Sequence, residues 1–291
     1  MIGIDENKNM IEKTGILQTA GKFGHWIANK AISKAIPLAT QLASKGGWLG
    51  KIGVSCSKIL GLSSSLMAGP LGPIIGEIVG QLVIYAATNT IAHVAKKLNI
   101  ISENDKAEEI GYRLEEASKH EDWKTREQFA SFGDYYSYLC KQIPTEVIDR
   151  GKIQNDRLYF TAVGGDALRQ GISDHYHSDL PIDMLIEVGR TKLDGDTFRE
   201  ILDKFSNNGY DLTKFKDYLQ GKLKGTDRQQ VEKAISDALV KVFPEYSQEQ
   251  VQNKLSEMRK ASREDSFLKD NVYSEEILTE QSPKTTTNFT K

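Results

Sequence analysis

The chain has 291 residues, of which 27% are charged and 39% hydrophobic, and its formal net charge is -2. This length and composition exclude a chain that is disordered throughout, and they suffice for a hydrophobic core and more than one folding unit. Two cysteines, Cys56 and Cys140, are too few for a disulfide framework, so a reducing compartment of synthesis is expected.

The charge is divided unevenly along the chain. Residues 1–100 carry ten lysines, no arginine and four acidic residues, a net +6, which leaves -8 for residues 101–291. Such asymmetry predicts two environments or two tasks. We therefore expect a basic, glycine-rich, membrane-interacting helical region at 1–99, an acidic helical domain at 100–260 and a disordered tail at 261–291.

The first dozen residues are charged and lack the apolar core of a secretory signal. We expect synthesis in the cytoplasm without a cleaved signal peptide, followed by membrane association or by export on a non-classical route through secretion or carrier machinery.

Residues 21–47 predict a basic amphipathic helix that is interrupted or kinked at Pro37, followed by a flexible Gly-Gly-Trp turn. Lysines with interfacial aromatics suit an anionic bilayer surface. The residues predicted to contact that surface are Lys22, Trp26, Lys30, Lys34, Trp48 and Lys51. The same periodicity is equally typical of a helix that covers a soluble core.

Between Lys58 and Lys96 the chain has 37 residues and a single charge, Glu77. A turn at 69–73 divides this run, and the 22 residues from 74 to 95 would be long enough to cross a bilayer. We therefore predict an apolar helical hairpin. Its insertion and oligomerisation residues would be Pro70, Gly72, Pro73, Gly76, Glu77 and Gly80.

Glycines at four-residue spacing form one face of a helix and allow close approach of a partner, the arrangement called a glycine zipper. Glu77 beside them would be protonated or would face a pore. In the alternative, this is a Gly- and Ala-rich helix buried in a soluble bundle with its polar stripe towards solvent. Residues 15–98 resemble the membrane-active part of a pore-forming bacteriocin or bacterial toxin, which implies a soluble form that converts to a membrane-bound one.

The second half predicts helices, which makes the fold class all-α. Ser102 is the predicted start of the first helix, and a second covers 123–142. Residues 157–163 and 181–188 fit either a small β element near 157–188 or buried helices. Later helices are predicted at 196–207, 211–223, 227–243 and 247–262, with capping boxes at Thr226/Gln229 and Ser247/Gln250.

Few residues in the second half suggest chemistry. His175 and His177 lie among acidic residues and could contribute to a metal site, although no third ligand is identifiable. Residues 163–166, predicted to form a turn, lack the Lys and Ser/Thr of a phosphate-binding loop. Asn207–Gly209 predicts a helix C-cap rather than a calcium loop. No cofactor is predicted, and the separation of basic from aromatic residues disfavours nucleic acid.

Three functions follow from these patterns. The first is a membrane-interacting, pore-forming or membrane-permeabilising toxin or effector that inserts the hairpin and forms a homo-oligomer through the glycine zipper. The second is a soluble structural or interaction protein whose glycine-rich helices pack within or between subunits. The third is an enzymatic effector with a metal site at His175 and His177. We expect a non-enzymatic role.

Overall fold

The computed structural model describes residues 31–65 and 72–263, except for the side chains of residues 62–80 and 82. The fold is all-α, as predicted, with twelve α-helices and no strand in the described part of the chain. The helices are α1 (31–43), α2 (Gly47–Ser65), α3 (Gly72–Lys97), α4 (Ala107–Ala117), α5 (Phe132–Gln142), α6 (Arg150–Asn155), α7 (Arg157–Tyr176), α8 (Ile182–Thr191), α9 (Gly195–Asn207), α10 (Thr213–Leu219), α11 (Gly225–Val242) and α12 (Gln248–Arg263).

The two segments that were ambiguous between strand and helix are helical, in α7 and α8. Helix α7 is buried on all sides from Leu158 to Arg169. A helix that is apolar all round belongs in the middle of a core, and its sequence then shows no amphipathic period. This central position explains why the pattern of residues 157–163 resembled a buried strand.

Several predicted helix boundaries are wrong for local reasons. Ser102 does not begin a helix, because its N–H and hydroxyl both donate to Asp105, at 2.7 and 2.8 Å, and α4 starts only at Ala107. The predicted helix at 123–142 is divided: a short 3₁₀ turn at Arg126–Gln128 comes first, and Ser131 then caps α5. Helix α1 continues through Pro37 without interruption.

Four helices follow residue 194 in the described residues, as predicted, but α10 is shorter than the predicted 211–223 and two predicted starts differ. Asp194, rather than Asp196, caps α9 by accepting from the Thr197 N–H at 2.8 Å. The capping box at Ser247 and Gln250 is confirmed by reciprocal hydrogen bonds of 2.8 and 3.3 Å. The one predicted at Thr226 is wrong, because α11 already begins at Gly225.

Helices from both sides of Asn99 share one hydrophobic core. Helix α3 packs against α2 on one side of that boundary and against α7, α8 and α9 on the other. Helices α1 and α2 contribute buried residues such as Leu42, Ile52 and Leu60 to the same cluster as Phe160 and Phe198. The composition break near Asn99 therefore coincides with continuous packing, and the division into a membrane-interacting region and an acidic domain stays a prediction.

Candidate functional site

The candidate site is the α2–α3 helix pair and the helices that hold it. The two helices pack against each other, and residues 66–71, which connect them in the sequence and include the predicted hairpin tip, lie outside the described residues. Gly72, Pro73, Gly76, Glu77 and Gly80 lie in the first turns of α3. The surroundings of their side chains, and Pro70 itself, lie outside the described residues.

The later part of α3 is held very closely by α7 and α8 through two glycines. A Cβ atom at Gly165 would lie 2.6 Å from the Thr88 hydroxyl oxygen and 3.4 Å from the Thr88 Cβ. A Cβ atom at Gly189 would overlap the backbone carbonyl of Val83. A larger residue at position 189 would meet backbone and force α3 and α8 apart, whereas at position 165 it would meet the Thr88 side chain, so these glycines allow α7 and α8 to lie close to α3.

Polar contacts join the C-terminal half of α3 to the start of α9. The Thr90 hydroxyl donates to the Leu193 carbonyl at 2.8 Å, and His93 Nε2 lies 3.0 Å from Asp196 Oδ1. The hydrogen bond with His93 lowers the pKa of the Asp196 carboxyl. Both partners of this ion pair are substantially exposed, so its contribution to stability is small.

A second close crossing joins α4 to α7. A Cβ atom at Gly111 would overlap the Phe160 carbonyl, and one at Gly164 would overlap the Ala107 carbonyl. Ala107 and Gly111 are four residues apart in α4, and the absence of side chains at Gly111 and at Gly164 of α7 lets the two helix backbones approach closely. Residues 163–166 are therefore the middle of a helix and not the predicted turn. The four-residue spacing was the available sequence signal for this contact.

Three successive residues of α7 face three different helices. Gly164 contacts α4 and Gly165 contacts α3, while the Asp166 carboxylate accepts a hydrogen bond from Ser55 of α2. A helix turns by about 100° per residue, so consecutive side chains point to different neighbours. Helix α7 thereby joins both arms of the helix pair to the second half of the chain.

Asp166 is fully buried together with Arg169. The Arg169 Nε donates to Asp166 Oδ1 at 2.7 Å, and Gln170 donates to the other carboxylate oxygen at 3.0 Å. Arg169 also donates to the Leu180 carbonyl. Burial raises the pKa of the Asp166 carboxyl, and Arg169 opposes that shift. Sequence reasoning missed this pair, because a charged residue three positions from its partner is also typical of an exposed helix.

Trp48 is partly buried and packs against aromatic residues of the second half of the chain. Its ring lies 5.8 Å from Phe132 and 5.9 Å from Tyr135, measured between ring centroids, and its backbone N–H donates to Glu127 at 2.9 Å. Glu127 thus caps the start of α2 from 79 residues away. The aromatic residues of α5 and the preceding turn hold this end of α2 against the second half of the chain.

The predicted surface lysines have different surroundings. Lys34 lies 2.5 Å from Asp156 in an ion pair with α7's N-cap residue, whereas Lys51 is exposed on α2. Lys22, Trp26 and Lys30 lie outside the described residues. The structure therefore brings Lys51 and Trp48 to the same end of α2, with Lys51 exposed and the indole partly buried.

His175 and His177 lie at the end of α7. His177 adopts a left-handed conformation, with φ of 49°, and lines an open depression of about 440 Å³ together with Asp174 and Asp179. Asp174 is paired with Arg126 at 2.6 Å, while His175 contacts the ring of Tyr176. Across the described ranges, no three His, Cys, Asp or Glu side chains are arranged to hold a metal ion.

Within the part of the chain that is described, no helix combines the length and the apolar character needed to cross a membrane. Comparison with protein-family models, with curated proteins and with solved structures finds no match to this chain.

Proposed function

We propose that this protein is a membrane-interacting, membrane-permeabilising protein in which the second half of the chain holds the α2–α3 pair until it meets a lipid surface. One observation carries the proposal: α3, the longest helix described, packs against α7, α8 and α9 from the acidic half. Its buried residues Val83, Ala87 and Ile91 would be exposed to water if α3 left these helices. A lipid bilayer offers them an equivalent environment.

In the proposed mechanism, the protein docks at an anionic membrane and α3 leaves α7, α8 and α9. Thr88, Thr90 and His93 give α3 polar groups that are costly in hydrocarbon unless they face another helix or a water-filled lumen. Insertion as an oligomer satisfies that requirement. Gly72, Gly76 and Gly80, at four-residue spacing, supply a face on which copies of α3 can approach closely.

A disulfide between α3 and α7 tests this release directly. Cysteines at Thr88 and Gly165 would have their Cβ atoms 3.4 Å apart, close to the spacing of about 3.5–4.5 Å that a disulfide requires. The nearest atoms to a Cβ at position 165 all belong to Thr88, whose γ atoms the substitution replaces. The double variant Thr88→Cys/Gly165→Cys should therefore lock α3 to α7 with little distortion.

The assay is release of an entrapped dye from vesicles that contain anionic lipid. We expect the oxidised variant to release dye at the background rate and the reduced variant to recover release. Replacing Cys140 with Ser and mapping the disulfide by mass spectrometry exclude other pairings, and Thr88→Cys alone under oxidising conditions is the matched control. Equal release by the locked and reduced proteins would refute the departure of α3. Absence of any release by the wild-type chain would refute the function itself.

The second candidate is a soluble structural or interaction protein. It is favoured by Gly111, Gly164 and Gly189, at which this chain uses missing side chains to pack helices inside its own core. Gly72, Gly76 and Gly80 would then serve similar contacts within or between subunits. A stable oligomer that forms without detergent and does not bind vesicles supports this candidate and contradicts the first.

A further inference from the structure

Helix α2 has one side that faces away from the core. Lys51, Val54 and Lys58 are all exposed, and their spacing of three and four residues places them on the same side of the helix. The opposite side is formed by Ile52, Cys56 and Leu60, each of which is fully buried. On the side of α2 that faces solvent, the apolar side chain of Val54 therefore lies between Lys51 and Lys58.

Val54 is unusual among the apolar side chains of this protein. It is 46% exposed. Among the described residues, the other large hydrophobic side chains that are exposed are Val147 and Val240. A single exposed valine is ordinary on a protein surface. Its position one turn from each of two lysines makes it part of a basic amphipathic surface, the type that lies at a lipid interface.

The surroundings of this face are basic. Residues 31–65 contain four lysines and no acidic residue. Lys34 is engaged by Asp156, while Lys45, in the turn before α2, is exposed like Lys51 and Lys58. The Lys51 charge contributes to lowering the pKa of the nearby Glu127 carboxyl, which also accepts a hydrogen bond from the Trp48 backbone. The exposed charges that residues 31–65 contribute are therefore all positive, in a molecule whose residues 101–291 carry -8.

We infer that Lys45, Lys51, Val54 and Lys58 form the surface that docks on anionic lipid headgroups before α3 is released. This inference rests on the proposed function. Lysines flanking an apolar side chain complement phosphate or carboxylate headgroups above hydrocarbon. The face also belongs to the arm that is continuous with α3, so docking there brings the helix pair to the bilayer.

The test measures flotation of the full chain with vesicles of phosphatidylcholine alone and with added phosphatidylglycerol. Each lysine near an anionic surface contributes roughly fivefold in binding, so we expect the triple variant Lys45→Gln/Lys51→Gln/Lys58→Gln to bind about a hundredfold more weakly. Lys222→Gln/Lys224→Gln/Lys233→Gln is the matched control, because it removes the same charge from exposed positions in the acidic half. We expect the control to bind anionic vesicles like the wild type.

A second pair of variants tests the apolar contact. We expect Val54→Ser to lower binding several-fold and Val240→Ser, at a valine that is 48% exposed on α11, to leave it unchanged. The oxidised Thr88→Cys/Gly165→Cys protein separates docking from insertion: it should float with anionic vesicles without releasing dye.

The flotation results separate the docking surface on α2 from the proposed membrane-permeabilising function. If the Lys45→Gln/Lys51→Gln/Lys58→Gln variant binds anionic vesicles as tightly as the wild type does, the docking surface is refuted and the proposed function is unaffected. If the wild type released dye but floated equally with both vesicle types, recognition of anionic headgroups would be refuted. Failure of the folded wild type to float with either vesicle would refute both proposals. Retention of that protein on immobilised DNA, lost in the triple variant, would then assign the lysines to a nucleic acid.

Discussion

Replacing Gly164 with Ala is the most direct test of how α4 and α7 are joined. The added methyl group would overlap the Ala107 carbonyl oxygen at well under 3.0 Å, a separation at which backbone must shift. Because that carbonyl belongs to a helix and not to a flexible side chain, α4 and α7 must separate. Forced insertion of a methyl group into a packed core costs about 1–3 kcal/mol, and the rigid obstacle puts this case at the upper end.

The intrinsic helix preference acts in the opposite direction. Alanine is favoured over glycine within a helix by about 1 kcal/mol, so the net loss of stability for Gly164→Ala should be about 2 kcal/mol. In a protein of this size, such a loss corresponds to a decrease in Tm of roughly 4–8 °C. Thermal and urea unfolding followed by circular dichroism at 222 nm measure both quantities.

Gly61 provides the matched control. It lies within α2, and apart from the helix's own backbone a Cβ atom there would have no atom of the described residues within 4 Å. Gly61→Ala should therefore stabilise the protein by about 0.5–1 kcal/mol, the propensity gain without the steric cost. If Gly164→Ala were as stable as Gly61→Ala, the close crossing of α4 and α7 would be refuted.

Two further substitutions test the buried Asp166 carboxyl and the glycine zipper of Gly72, Gly76 and Gly80. Burial raises the pKa of Asp166 above its unfolded value of about 3.9, so the folded state retains this proton to higher pH and stability increases as pH falls through the folded pKa. Asp166→Asn should remove that negative contribution and make the slope of unfolding free energy against pH more positive in the acidic range, whereas parallel slopes for the two proteins would contradict the assignment. Gly76→Ile should lower dye release, because the larger side chain blocks close approach of α3 helices. Dye release equal to that of the wild type would count strongly against assembly through the glycine zipper.

Local patterns predicted much of the helical content. The Ser247–Gln250 capping box and the helices near 196–207 and 247–262 depend on hydrogen bonds and periodicity within a few residues, and the structure places α9 and α12 within one residue of those bounds. The C-cap at Asn207–Gly209 is confirmed as well, with Asn208 as the cap residue and Gly209 at φ of 65°. Helix caps and helical periodicity can be predicted from sequence because the residues that form them lie within a few positions of one another.

The candidate site was less accessible to sequence reasoning. Trp48 has the neighbours of an interfacial residue in sequence, yet its position is decided by Phe132 and Tyr135, more than 80 residues away. Gly164 and Gly165 resemble a turn until α4 and α3 are known to cross α7 at those points. Glycine permits both a turn and a close helix contact, and only the neighbouring backbone distinguishes them.

The sequence by itself determined that the chain forms helices, where many of them begin and end, and that charge and apolar character are unequally divided along it. Tertiary structure alone decided that α3 lies between α7, α8 and α9 and that Asp166 is buried beside Arg169. The physical reason is the range of the interactions. Capping and periodicity act within one or two turns, whereas burial depends on which helices, distant in sequence, pack together.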